Sequence, residues 1–184
     1  MNWATLTFDQ LSARELYLIL RARSAVFVVE ASCVHLDADG FDEAALHVFA
    51  HEDMTRPMPI LAYARIRPGE IEHQEVWIDK ILTCPSLRGD GTAYALVDHV
   101  MHVVDARWPR HRVRAFAPAA QRPLYERFGF RRALETGAKC GTPLTAFVRG
   151  GPYGFAEPIE VHEVRRGRAE SGCYAAAAGP FGTR

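Results

Sequence analysis

The residues with the most chemistry to offer lie in one short stretch, Arg88-Gly89-Asp90-Gly91-Thr92-Ala93. It stands between an apolar run that reads as a strand, residues 75–83, and a long amphipathic pattern that reads as a helix ending near residue 107. Glycine tolerates positive φ and lets a ligand come close to the chain. Successive amides at such a turn make a concave anion site, and the first turn of the following helix adds unpaired donors and a positive dipole end. Arg88 contributes a planar cation with a fork of donors. Such a device can bind a pyrophosphate; a plain loop with two convenient glycines is the alternative. No Gly-Lys-Ser/Thr follows, which excludes a P-loop. A dinucleotide-binding fingerprint begun at Gly89 needs its third glycine where Tyr94 stands.

These residues need a scaffold, and the hydrophobic pattern supplies one. Residues 3–8 alternate as a first strand, and Ser12 with Glu15 forms a capping-box pattern that opens a helix. Residues 46–50 and 60–66 read as an antiparallel pair around the Pro-containing segment 53–59, and Pro68-Gly69 reads as a turn. In the long helix Leu96, Val97, Val100, Met101 and Val104 share one face. Residues 113–117 read as a strand, 123–128 as a short helix with Gly129 past its end, and 130–134 and 144–148 as the last strands. The order predicts an α/β (α+β) domain with a mixed sheet over residues 1–149. Residues 150–184 are expected to be a partly flexible extension, with a short strand around residues 159–164 and a loose tail from about residue 165.

With 184 residues, 48% of them hydrophobic and 24% charged, the chain has the balance of one folded domain with an ordinary core. Lys and Arg (22) equal Asp and Glu (22), so bulk charge points to neither a nucleic-acid nor a membrane partner. No apolar run is long enough to span a bilayer, and the N-terminus lacks the pattern of a signal peptide. A cytoplasmic chain is expected. Cys33, Cys84, Cys140 and Cys173 include no Cys-x-x-Cys pair and are expected to be reduced structural thiols.

Arg88-x-x-Gly91-x-Ala93, after Pro85 and a strand, resembles the coenzyme-A motif of the GCN5-related N-acetyltransferase (GNAT) family. Tyr125-Glu126-Arg127-Phe128-Gly129-Phe130 resembles that family's Tyr-x-x-Phe-Gly-Phe ending, in the right order and with one strand between. Val26-Phe27-Val28-Val29-Glu30, Cys33, Asp37-x-Asp39-Gly40-x-Asp42, His47 and Ala62-Tyr63-Ala64-Arg65 are similar to the ElaA branch. The likeness covers roughly residues 1–149 and implies the GNAT fold, a mixed, mostly antiparallel sheet flanked by helices.

The resemblance also implies acetyl transfer from acetyl-CoA to a primary amine, by direct attack in a ternary complex and without a metal. It places the pyrophosphate on the amides of Gly89, Asp90, Gly91, Thr92 and Ala93 with Arg88 at its edge. The pantetheine then runs along Ile81, Leu82 and Thr83, whose backbone N–H groups polarise the thioester carbonyl. Tyr125 matches the family's acid at the leaving thiolate; a core tyrosine is its alternative. Glu30 is the first candidate for the base, where a raised pKa would suit it; His47 is the second and Asp79 the third. Each has a bland counterpart, a surface acid for Glu30 and a satisfied strand histidine for His47.

The sequence departs from the ElaA pattern on the acceptor side. Pro118 and Ala120 stand where a Gln and a His or Tyr are usual, and Lys139-Cys140-Gly141-Thr142-Pro143-Leu144 replaces a Glu-Asp-Gly-Ile-Pro-His run. A coenzyme-A-binding sensor or scaffold of weak activity is therefore the second reading, and a homodimer is left open. An acyl-homoserine-lactone synthase is a third reading without a positive sign. The acidic segment 37–42 lacks the spacing of a calcium loop and is expected to shape the acceptor cleft. His99 and His102 are expected to be solvated.

Overall fold

The computed structural model describes residues 1–52, 60–69 and 75–150. The expected loop at 53–59, the strand near 159–164, the loose tail and Cys173 lie outside the described residues. Among the described residues seven strands form one sheet in the order β1-β2-β3-β4-β5-β7-β6. They are β1 (Asn2–Thr7), β2 (Leu46–His51), β3 (Ala62–Pro68), β4 (Glu75–Thr83), β5 (Arg112–Ala117), β6 (Arg131–Lys139) and β7 (Thr142–Arg149). Only β4 and β5 run parallel; the other neighbours are antiparallel. This is the mixed, mostly antiparallel sheet that the sequence predicts.

Local chemistry explains the helices. Helix α1 (Ala13–Ser24) starts where the Ser12 hydroxyl accepts the Glu15 amide and the Glu15 carboxylate accepts the Ser12 amide, at 3.2 and 2.7 Å. It widens into a π-helical segment over Ala25–Glu30, with Ala31 N–H bonded to Val26 O and Cys33 N–H to Val28 O. Helix α2 (Thr92–Arg107) follows the glycine turn, and α3 (Arg122–Arg127) has Pro123 in its first turn.

The sheet is packed on both faces. Leu96, Val97, Val100, Met101 and Val104 of α2 bury against Val48, Ala64, Ile66 and Ile78. Leu18 and Ile19 of α1 bury against Phe49, Tyr63 and Leu82. Val48 and Phe49 thus face opposite layers, as the two-residue period of a strand requires. His99, expected in solvent, is instead stacked on Trp3 with ring centroids 5.1 Å apart, because β1 lies beside α2. Among the described residues no helix is long and apolar enough to cross a membrane.

Two features depart from the sequence reading. Cys33 and Cys140 are not reduced thiols but a disulfide, with Cα atoms 5.4 Å apart across 107 residues of sequence. Cys84 is a free thiol. The second departure is a cluster of charge inside the molecule. Arg23 and Arg65 have side chains 0% and 1% exposed. Arg23 donates to the Asp37 carboxylate at 2.8 Å, to Asp42 at 2.6 Å and to the Asp37 carbonyl at 2.7 Å. Arg65 donates to Asp79 at 2.8 and 3.0 Å, to Asp39 at 2.6 and 2.8 Å and to Asp42 at 2.9 Å. These bonds use all five of its donors.

A lysine cannot reproduce that fork. Arg65→Lys is expected to lower stability by about 3 kcal/mol, because breaking a buried ion network strands its carboxylates. A fall in the urea midpoint at unchanged slope checks this; an unmoved midpoint shows that the network does not hold the fold.

Candidate functional site

The sheet opens beside β4. Its pairing with β5 runs from Glu75↔Arg112 to Ile78↔Ala115 and stops there, although β4 continues to Thr83 and β5 to Ala117. On its other edge β4 carries one extra residue relative to β3, between the pairs Arg65↔Asp79 and Tyr63↔Leu82. Lys80 takes the strain, with φ of 52°. A bulge of this kind bends and twists its strand. The far end of β4 therefore turns away from β5 and leaves a ladder edge without a partner.

A hollow of about 410 Å³ fills this gap. Its β-strand walls are Asp79, Lys80 and Ile81 on one side and Phe116 and Ala117 on the other. Tyr125, Phe27, Asp39, Cys33 and Cys140 complete the lining. A second hollow of about 480 Å³, beside Phe41, Arg67 and Trp77, contains none of the predicted site residues.

The glycine turn leads from β4 into α2. Gly89 and Gly91 have φ of 88° and 98°, and a Cβ on either would meet nothing within 4 Å. The two glycines are thus required by the backbone, while the space above them is open to a ligand. One expected donor is occupied, since the Asp90 carboxylate accepts the Thr92 amide at 2.8 Å. This bond lowers the Asp90 pKa and puts a negative group in the turn. Arg88 is also engaged. Its guanidinium grips Glu30 at 2.6 and 2.8 Å in a two-pronged, solvent-exposed pair.

That pair reverses the expectation for Glu30. Its pKa goes down, chiefly through the Arg88 hydrogen bond. The apolar run before Glu30 suggested burial, but the π-helical segment delivers its carboxylate to the surface, 47% exposed. A lowered pKa makes Glu30 a poor base. His47 is also unsuited. It is fully buried and does not line the cleft. Its Nε2–H donates to the Asp42 carbonyl at 3.0 Å and its Nδ1 accepts the Tyr63 hydroxyl at 2.9 Å. Burial lowers its pKa and keeps it neutral. It is the satisfied strand histidine.

Asp79, the third candidate, does line the cleft but is held by Arg65 and by Arg67, the latter at 2.8 Å. Tyr125 stands differently. Its ring stacks on Phe147 at 4.8 Å and meets Phe130 edge-on at 5.6 Å. The residue is 2% exposed. Burial raises its pKa, so it is a protonated donor at neutral pH.

The acidic segment 37–42 shapes the cleft from behind, a role that depends on partners the sequence did not reveal. Burial would raise the pKa of Asp37, but Lys80 and Arg23 more than offset this and lower it. Asp39 is likewise lowered, by Arg65 against the effect of burial. Lys80, the residue at the bulge, reaches the Asp37 carboxylate at 2.6 Å and ties the bend in β4 to this segment. Cys33, His35 and Cys140 place three potential metal ligands within 4.8 Å of one another, but the two sulfurs are joined to each other.

Acid is expected to remove stability in two stages. His47 has a folded pKa below its unfolded value of about 6.5, so its share starts to fall as pH drops through about 6.5. Asp37 and Asp39 have folded values below the unfolded value of about 3.9; their share is intact above that pH and lost beneath it. Urea midpoints across this range check both stages. His47→Gln should shrink the first stage, to which His99, also lowered by burial, adds a share, and leave the second unchanged; a parent chain with no loss until about pH 4 contradicts a buried neutral His47.

The chain matches the model of the acetyltransferase (GNAT) family over residues 11–130. It is 29% identical to protein ElaA of Escherichia coli over 151 residues, which is 81% of this chain and 96% of ElaA. The crystal structure of E. coli ElaA superposes with a TM-score of 0.73 at 28% identity, covering 81% of this chain and 99% of that one. An acyl-CoA N-acyltransferase from Pseudomonas aeruginosa superposes with a TM-score of 0.74 at 26% identity, covering 82% of this chain and 100% of that one. A CoA-dependent acyl-homoserine lactone synthase, at 14% identity and a TM-score of 0.60, shares the fold alone. With the parted strands, the glycine turn and these likenesses together, the chain belongs to the GNAT acetyltransferase family, in its ElaA-like branch.

Proposed function

We propose that this chain is an N-acetyltransferase that moves an acetyl group from acetyl-CoA to a primary amine in a ternary complex. The observation that carries this reading is the end of β4–β5 pairing at Ile78, immediately before the cleft and the glycine turn. Past that point the β5-facing edge of β4 has no ladder partner, so its amides are available to a thioester. In this reading Ile81, Leu82 and Thr83 line the pantetheine, and fixed backbone donors stabilise the oxygen where charge develops. The turn from Gly89 to Ala93 receives the diphosphate. There Arg88 must exchange Glu30 for phosphate, and Asp90 must yield the Thr92 amide. Glu30 is thus a latch on Arg88 rather than a base.

The acceptor nitrogen attacks the thioester carbon, the C–S bond breaks, and the thiolate takes the Tyr125 proton. Tyr125 lines the cleft and is protonated before transfer, so its O–H can donate as negative charge builds on the sulfur, although its apolar surroundings weaken it as an acid. Among the described residues no imidazole lines the cleft, and its two carboxylates, Asp39 and Asp79, are both held by Arg65. The reading therefore has the acceptor react as the neutral amine and release its second proton to water. Holding both reactants in one cleft supplies much of the acceleration.

The alternative of a coenzyme-A-binding module without turnover draws on the occupied states of Arg88 and Thr92. Thiol release with a panel of amines separates the two. Tyr125→Phe is expected to lower kcat about a hundredfold with little change in acetyl-CoA affinity. An unaltered kcat makes the phenol structural. Gly91→Val is expected to weaken acetyl-CoA binding in calorimetry at least about tenfold, since a β-branched residue resists φ near 98°. Circular dichroism should show the fold retained, and unchanged affinity removes the diphosphate assignment.

A further inference from the structure

The proposed transfer leaves the Cys33–Cys140 bond without a role, although both residues line the cleft. Cys33 begins the loop that carries Asp37, Asp39 and Asp42, one wall of the hollow. Cys140 sits in the turn between β6 and β7 on the opposite wall, with φ of 49°. The bond therefore joins the loop to the hairpin tip across the hollow.

The base of the hairpin it holds is tied to the sheet by β5–β7 pairing and by the Arg114–Glu135 ion pair, but the tip beyond them has few ties. Strand β6 is the last strand of the sheet and pairs with β7 alone. Eight of its nine residues are exposed, including Leu134 at 94%. The β6–β7 register slips between Arg132 and Thr136, so the outer half is a two-stranded ribbon beyond the core. Such a ribbon is marginally stable alone. Its other tie to the opposite wall is the Lys139 ammonium, 6.0 Å from the Phe27 ring centroid.

The two sulfurs also differ in access. Cys33 is 3% exposed, whereas Cys140 lies on the surface. An external thiolate therefore meets the Cys140 sulfur, and the electron pair of the broken bond leaves on Cys33. The His35 Nδ1–H, which bonds the Cys33 carbonyl at 2.9 Å, is 3.3 Å from that sulfur and is placed to stabilise it.

We propose that Cys33 and Cys140 are a reversible thiol–disulfide modification site that clamps the β6–β7 tip across the acceptor half of the cleft. The partner reagent is a low-molecular-weight thiol and its disulfide. On opening, the thiolate forms a bond to Cys140 Sγ, the Cys33–Cys140 bond breaks, and Cys33 takes up a proton. A second thiol then attacks the mixed disulfide and releases Cys140 as a thiol. In sum, one protein disulfide is reduced to two thiols and two small thiols are oxidised to one small disulfide. Closure is the reverse. The inference rests on the reading of this hollow as the acceptor site. The glycine turn at residues 88–93 is tied to neither cysteine and lies outside the lining of the hollow, so binding of the coenzyme's diphosphate stays outside the control of the clamp.

The test uses the full chain with Cys84→Ser and Cys173→Ser, so that only the pair remains. It is equilibrated with glutathione or glutathione disulfide, with a chelator present in both arms to exclude metal capture by the same sulfurs and His35. Peptide mapping without reductant should find Cys33 linked to Cys140 in the oxidised arm and two alkylated thiols in the reduced arm. Amide exchange in residues 136–145 should be about tenfold faster when reduced, as for a segment that opens locally. Adding Cys140→Ser, or Cys33→Ser at the other end, should give the fast rate in both arms. Calorimetric affinity for acetyl-CoA should stay within about twofold between arms. No linkage, or equal exchange in the two arms, overturns the clamp. A chain that binds no acetyl-CoA in either arm but keeps the exchange difference retains the clamp and removes the coenzyme reading instead.

Discussion

Two guanidinium groups with almost no contact with solvent dictate much of this structure. A buried charge is tolerated only where its partners and hydrogen bonds are nearly complete, because removing each ion from water costs several kcal/mol. Arg23 and Arg65 meet that demand with Asp37, Asp39, Asp42 and Asp79. Three of these four carboxylates lie within six residues of one another in a single loop. Satisfying the arginines thus fixes that loop in position and orientation. The Asp42 carbonyl then fixes the His47 tautomer, and Asp37 takes Lys80. Burial opposes the charge on Arg65, yet its bonds to Asp39 and Asp79 raise its pKa above the ordinary value, so the network stays ionised.

The same network meets the cleft at Lys80. A non-glycine residue with φ of 52° is strained, and the strain persists only where surrounding contacts hold it. Asp37 supplies that contact through the Lys80 ammonium, whose side chain is only 8% exposed. The bend in β4, the loss of β5 pairing after Ile78 and the hollow between the strands are therefore anchored from behind by charge. The acidic loop is a structural counterweight to the site, and its carboxylates are consumed by cations of the same chain.

The parts of this arrangement that were legible in sequence are those written in local chemistry. The Ser12–Glu15 box, the buried stripe of α2 and the positive φ of Gly91 each follow from a few neighbouring residues. What was not legible joins residues far apart. Arg88 and Glu30 are separated by 58 positions, Arg65 and Asp39 by 26, and Cys33 and Cys140 by 107. Hydrophobic periodicity gives each partner a face but not a neighbour. Glu30 shows the consequence. Its apolar prelude argued for desolvation and a higher pKa, while a distant cation at the surface decided the opposite. His47 failed in the other direction, since a strand pattern does not reveal that a tyrosine on the next strand will complete its hydrogen bonds.

The charge state of the cleft follows from the same pairing. Asp39 and Asp79 line it, and a count of residue types would make it an anionic pocket for an ammonium ion. Both carboxylates are already held by the Arg65 fork, and Lys80 is neutralised by Asp37. Lys139 is left at the rim with no carboxylate partner among the described residues, and burial together with Lys80 lowers its pKa. The pocket is therefore not acidic despite its two aspartates. An ammonium acceptor would have to compete with Arg65 for them, at the expense of a buried guanidinium. In the proposed reaction a neutral amine would enter without that competition and is also the only form with a lone pair to donate. The electrostatics that stabilise the fold would thus favour the protonation state that the proposed transfer to an amine requires.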